Sequence, residues 1–258
     1  GEPGGRPVRP GLSLGDIAAG LFAAIGILAA VHERERSGEG QMLDISMLDC
    51  QIAILENAYM RYFATGKPPE PIGTRHPSAT PFQAFPTADG HLVIALSWGV
   101  ENQWELLCAE LGVPQLMDDE RFITSGRRTA NHAELEPLLE AAFRARTTAE
   151  WLPRLEAIGV PCGPLNTIPQ AAEMPQVAAR EMLVDVAHPR IGSLRIANSP
   201  VRLSRTPGRV HGGPPDMGEH TIEVLRGRLG LTEERIDALK QAGVIATERP
   251  PLPDMLRG

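Results

Sequence analysis

Ser13-Leu14-Gly15-Asp16-Ile17-Ala18-Ala19-Gly20-Leu21-Phe22-Ala23-Ala24-Ile25-Gly26-Ile27-Leu28-Ala29-Ala30-Val31 is the stretch on which the fold turns. It is almost wholly small and apolar, then becomes polar at His32-Glu33-Arg34-Glu35-Arg36-Ser37-Gly38. Ser13 with Asp16 three residues on has the pattern of a capping box at a helix start. Asp16 is then a lone carboxylate at the positive end of a helix dipole. From Ile17 to Val31 there is no other ionisable group, so the pattern predicts a helix buried nearly all round. Two roles stand open for Asp16: a helix cap only, or a carboxylate nucleophile at the mouth of an apolar environment. The local pattern favours the cap.

The surrounding composition narrows the classes. The chain has 258 residues, 42% of them hydrophobic, and a net charge of −7. That is enough for one large or two modest domains. No run of Lys or Arg is present, which argues against nucleic acid as a partner. Cys50, Cys108 and Cys162 are few and far apart, which suits neither a disulfide framework nor a metal site, and the expected setting is a reducing cytoplasm. The apolar run 17–31 falls short of the roughly 20 residues that span a bilayer, so no membrane partner is expected.

Outward from this helix, residues 1–12 read as a Gly/Pro-rich loop. Gln41–Ser46 alternates like a strand, and a second helix is expected from about Met47 to Ala64, stopped by Gly66, Pro68 and Pro69. Residues 67–80 read as a linker. Pro81 to Ser97 reads as a hairpin turning at Asp89-Gly90. Helices are expected at about 100–111, 131–145, 147–158 and 168–173, with Gly159–Pro164 as a break. Strands are expected within 186–207, turning at Gly192, with Pro200–Ser204 as the last of them. Helices at 219–229 and 232–242 follow, then a frayed tail from 246. The expected organisation is 1–66 in a large domain, 81–185 as a small α+β domain, and 186–258 returning to the large domain. Trp98, Trp104 and Trp151 read as packing residues. His32, His91 and His188 read as a helix-end, a strand-start and a pre-proline histidine.

Five segments, in order, together resemble the family III acyl-CoA transferases. They are Leu12–Gly20 running on to Ala30; Arg34–Asp49; Arg75-His76-Pro77 through Pro81-Phe82 to Thr87–Gly90; Gly159–Asn166; and Pro200–Pro207 with Gly218–Thr221. The resemblance implies an α/β fold, part of a Rossmann-like large domain plus a smaller α+β domain. It also implies a substantial N-terminal portion, ahead of the nucleophile, that this chain does not contain. The family's nucleophilic aspartate falls on Asp16. The implied chemistry moves coenzyme A between an acyl-CoA and a carboxylic acid through an aspartyl-CoA thioester. The coenzyme A thioester is then substrate, with no permanently bound cofactor and no metal. The implied assembly is an interlocked homodimer.

The loop Gly73–Thr80 corresponds to a segment that is glycine-rich in many relatives but has one glycine here. Arg75 and His76 are the candidates in it for binding the coenzyme; a solvated arginine and a loop histidine are the plainer readings. Two other functions compete. An α-methylacyl-CoA racemase of the same fold would use Asp16 as an acid/base partner of a histidine outside this chain. A non-catalytic fragment or subunit would only complete a partner's fold.

Overall fold

The computed structural model describes residues 1–96, 102–188, 190–246 and 251. Trp98, the first residues of the helix expected from 100 and most of the tail expected from 246 lie outside the described residues. By its contacts the chain divides into two compact units, Gly1–Leu165 and Asn166–Gly258.

The first unit opens with α1 (Leu14–Ser37), closed by Gly38 in the left-handed conformation. Four features differ from the sequence expectation. Ser13 sits at φ −81°, ψ 73°, off the extended geometry that lets an N-cap hydroxyl reach back to the helix, and no cap bond forms. Its hydroxyl instead accepts from Arg9 Nη2 at 3.4 Å. The helix is also not buried all round: Ala18 is its one buried residue, while Leu21, Ile25, Ile27 and Leu28 are each more than half exposed. Within the unit, α2 (Met47–Ile54) packs along α1. Leu43 lies over Gly26, where a Cβ would come 2.9 Å from Leu43 Cδ2. Gln41–Ser46 forms no strand, since no neighbouring strand pairs with it. The long second helix breaks at Leu55 into α2 and α3 (Glu56–Thr65).

The core of the unit lies further along. Strands β1 (Phe82–Pro86) and β2 (His91–Ala95) form the expected hairpin, with Pro86 opposite His91. Thr87 N–H donates to Gly90 O across the turn. A third strand, β3 (Cys162–Pro164), pairs antiparallel with β2, so the expected break at 159–164 is partly a sheet edge. Helices α4 (Gln103–Leu111), α5 (Ser125–Ala130), α6 (His132–Phe143) and α7 (Thr148–Ala157) cover this sheet. Alternation decides which strand residues turn inward: Phe85, Leu92 and Ile94 are at most 1% exposed. They meet Leu107, Leu135, Leu139 and Leu155 in one apolar cluster. Trp104 and Trp151 join it, as expected. Phe143 stacks on Phe85 at 4.9 Å and meets Trp151 edge-on at 5.5 Å, and the Trp151 indole N–H donates to Phe143 O at 2.7 Å.

Two polar devices lock this unit. Thr147 and Glu150 form a reciprocal capping box at the start of α7. Asp89, in the hairpin turn, also accepts from Thr148 N–H at 2.8 Å, tying the hairpin to that helix end. This bond, before all other causes, holds the Asp89 carboxyl below its usual range. Thr147→Ala is expected to cost about 1 kcal/mol in urea unfolding, the usual value for a lost cap. The second device is Arg128, 7% exposed. Its Nε donates to Thr80 O at 2.7 Å and its Nη1 to Phe122 O at 2.8 Å, while the guanidinium lies 4.6 Å over the Trp104 ring.

Asp119 adds a pH-dependent term. The Arg121 side chain and backbone N–H together hold its carboxyl down to about 2. A depressed carboxyl stabilises the fold above its unfolded pKa of about 3.9 and loses that contribution as pH falls through the folded value. Acid unfolding should therefore steepen between about pH 4 and pH 2, and Asp119→Asn should flatten that limb in a pH titration followed by circular dichroism.

The second unit holds α8 (Ile168–Ala172), α9 (Pro175–Ala179), the hairpin β4 (Leu183–His188) and β5 (Gly192–Ala197), then α10 (Thr221–Gly227) and α11 (Glu233–Gln241). Gly192 has φ +89° and opens β5, the turn role expected of it. Buried His188 closes the same turn, its Nδ1 accepting from Arg190 and Ile191 N–H at 3.2 and 3.3 Å. Pro200–Ser204 forms no strand. Both sheets are antiparallel, and residues 1–66 contribute the helices α1 to α3.

Candidate active site

Asp16 is the third residue of α1 and is exposed. Ile17 makes the first bond of the helix ladder, to Ser13 O at 3.0 Å. The backbone N–H groups of Gly15 and Asp16 precede that bond and have no acceptor within the helix. Helix α2 brings Gln51 against the same turn: a Cβ on Gly15 would lie 3.1 Å from Gln51 Nε2. Gly15 thus leaves room for Gln51, whose Nε2 donates to Met47 O at 3.4 Å, against a helix turn that carries the Asp16 carboxylate and two N–H groups with no acceptor among the described residues. Sequence reasoning did not single out Gln51; its signal is present only in the packing of α2 on α1.

An apolar groove of about 290 Å³ begins beside Asp16, lined by Leu14, Ile17, Ala18, Leu21, Phe22, Ile25 and Ile54. Helix α1 has a mean hydropathy of 2.1 over an 18-residue window, long and apolar enough to cross a membrane by length and composition. The helix outruns the 15-residue apolar run on which the sequence expectation rested. Its small residues, Ala18, Ala19, Gly20, Ala23 and Ala24, equally suit close packing inside a larger protein core.

Arg75 and His76 do not share a setting. His76 stacks on Phe82 at 5.0 Å and its Nδ1 accepts from Ser78 N–H at 3.3 Å. Arg75 lines a separate cleft of about 300 Å³ bounded by residues 72–75, the β1–β2 hairpin and α6. His132, Glu136 and Glu140 of α6 and Arg144 at its C-cap face this cleft, as do His91 and Glu2. Sequence reasoning gave His91 a bland role and passed over the α6 residues. Their signal is a spacing of four, which puts them on one helix face. Arg144 pairs with Glu140 at 3.0 Å, and His132 Nε2 lies 3.3 Å from Glu136 Oε2. Gln83 Nε2 donates to the other Glu136 oxygen at 2.6 Å. Burial first, then the charge of Arg75, lowers the His132 pKa, so His132 is neutral at pH 7.

Elsewhere, burial raises the thiol of Cys108 to about 12, which keeps it protonated and unreactive. Among the described residues no three His, Cys, Asp or Glu side chains are grouped to hold a metal ion.

Comparison with known proteins gives the family. The sequence model of CoA-transferase family III matches residues 1–221, and the chain belongs to that family. It is 36% identical to the succinyl-CoA:glutarate CoA-transferase of Mus musculus, over 95% of this chain and 56% of that protein. It is 40% identical to the acetyl-CoA:oxalate CoA-transferase of Acetobacter aceti, over 79% of this chain and 51% of that protein. A CAIB/BAIF family protein from Brucella suis superposes with a TM-score of 0.73 at 35% identity, covering 89% of this chain and 58% of that one. The chain spans about half the length of the curated relatives it matches.

Proposed function

We propose that the protein transfers coenzyme A between an acyl-CoA and a carboxylic acid, with Asp16 as the nucleophile. The observation that supports this most directly is the position of Asp16, exposed on the first turn of α1, where the N–H groups of Gly15 and Asp16 have no acceptor among the described residues. The Asp16 carboxylate attacks the thioester carbonyl, the tetrahedral oxyanion collapses, and the CoA thiolate leaves a mixed anhydride. The thiolate then attacks the aspartyl carbonyl of that anhydride, releasing the first acid and forming an aspartyl-CoA thioester. The incoming acid repeats the steps in reverse. A carboxylate is a weak nucleophile in water and becomes effective when positioned and shielded from it. Backbone N–H groups at a helix start are donors of the kind an oxyanion requires.

Relatives named for succinate, glutarate and oxalate support small dicarboxylates as the acids. We place the enzyme in the cytoplasm, consistent with three free cysteines, and as a homodimer in which further chain covers α1. Incubation of the whole enzyme with succinyl-CoA, followed by peptide mapping, should find coenzyme A on the peptide carrying Asp16. An adduct on a different residue would overturn the assignment.

A further inference from the structure

Arg75 stands out among the charged groups of its cleft. Glu140 is neutralised by Arg144, and Glu136 is held by His132 and Gln83. Among the described residues Arg75 makes no ion pair; its Nε donates to Ile72 O at 3.1 Å, which leaves the forked Nη groups for another acceptor. It is half-buried, so its charge is poorly screened by water. The cleft wall also accommodates a carboxylate. Glu2 Oε2 lies 2.7 Å from where a Cβ on Gly73 would stand, a place open because Gly73 has no side chain. The volume of about 300 Å³ is at the small end of ligand sites, too tight for a whole nucleotide.

We propose that this cleft binds a small oxyanion, a carboxylate or a phosphate group, anchored by the Arg75 guanidinium, in place of the Glu2 carboxylate that now lies against Gly73. A guanidinium fork presents paired N–H donors that match either oxyanion. Glu2 repels the incoming anion and sets its affinity. The oxyanion has two possible sources, the free carboxylate of the acid and a phosphate of coenzyme A. Choosing glutarate and coenzyme A as probes rests on the transferase reading; the site itself does not, and inorganic phosphate tests it independently.

Equilibrium dialysis of the chain, which tolerates self-association, is the experiment, with labelled phosphate and labelled glutarate as probes. Wild type should retain about one anion per chain. Arg75→Gln should weaken retention about tenfold or more, Arg75→Lys less, and Glu2→Gln should tighten it. Each variant is checked by thermal unfolding, since a lost fold would lower retention for all probes without the opposite response of Glu2→Gln. Displacement of bound glutarate by coenzyme A but not by its 3′-dephospho form assigns the oxyanion to the coenzyme. Persistence of glutarate under excess coenzyme A assigns it to the acid. No retention of any probe at millimolar concentration, or retention indifferent to both Arg75→Gln and Glu2→Gln, overturns the site.

Discussion

Asp16→Asn in the whole enzyme should lower kcat by at least about 10⁴-fold, the scale on which removal of a covalent nucleophile is felt. An amide has the shape of the carboxylate but cannot form the anhydride or the aspartyl thioester. The substitution removes no cap, because Ser13 makes no cap bond with this turn. Stability should therefore change little, and the kinetic loss should appear with substrate binding nearly intact. The measurement is coenzyme A exchange between succinyl-CoA and labelled glutarate, alongside thermal unfolding of the same preparation. Retained exchange in the Asn variant would sink the nucleophile; loss of both fold and exchange would move Asp16 into a structural role.

The 258-residue chain by itself should self-associate at micromolar concentration. Leu21, Ile25, Ile27 and Leu28 are 62%, 64%, 54% and 69% exposed along one helix. Each such side chain gains about 1.5–3 kcal/mol when fully buried. Together with Ile17 and Phe22 they make an apolar surface of the kind that marks an interaction site. Sedimentation velocity should show dimers or larger species. The triple change Leu21→Glu, Ile25→Glu and Leu28→Glu should return the chain to a monomer, while in the whole enzyme the same change should abolish folding. Flotation with lipid vesicles separates the competing reading of α1, in which bilayer rather than protein covers it. A wild-type chain that sediments as a monomer would contradict the prediction.

The family and much of the architecture were legible in the sequence. The hairpin around Asp89-Gly90 and the helix over 147–158 were visible because turn chemistry and helical periodicity are local. The alternation that buries Phe85, Leu92 and Ile94 came only with the structure. What failed depended on partners distant in sequence. Gln41–Ser46 alternates but has no strand to pair with. Cys162–Pro164 reads as a breaker, yet pairs with β2, and this pairing keeps residues up to Leu165 with the first unit. Helices α5 and α9 are too short for periodicity to reveal. In the candidate site, the place of Asp16 at a helix start was readable locally, while its proposed role came from the family resemblance. Gln51 and the α6 face around Arg75 were not, because they reach their sites through packing.

The lock around Arg128 has a consequence for how the first unit responds to electrolyte. Its partners are two carbonyl oxygens and an indole face, and no carboxylate among the described residues pairs with it. Dissolved ions weaken attraction between exposed charges over a distance of about 10 Å at 0.1 M, but they act far less on a buried charge held by neutral dipoles. The contacts joining Thr80, Phe122, α4 and α5 therefore depend little on ionic strength. Concentrated salt should loosen the exposed pairs of this chain, such as Arg195 with Asp185, long before it reaches the core beneath the hairpin.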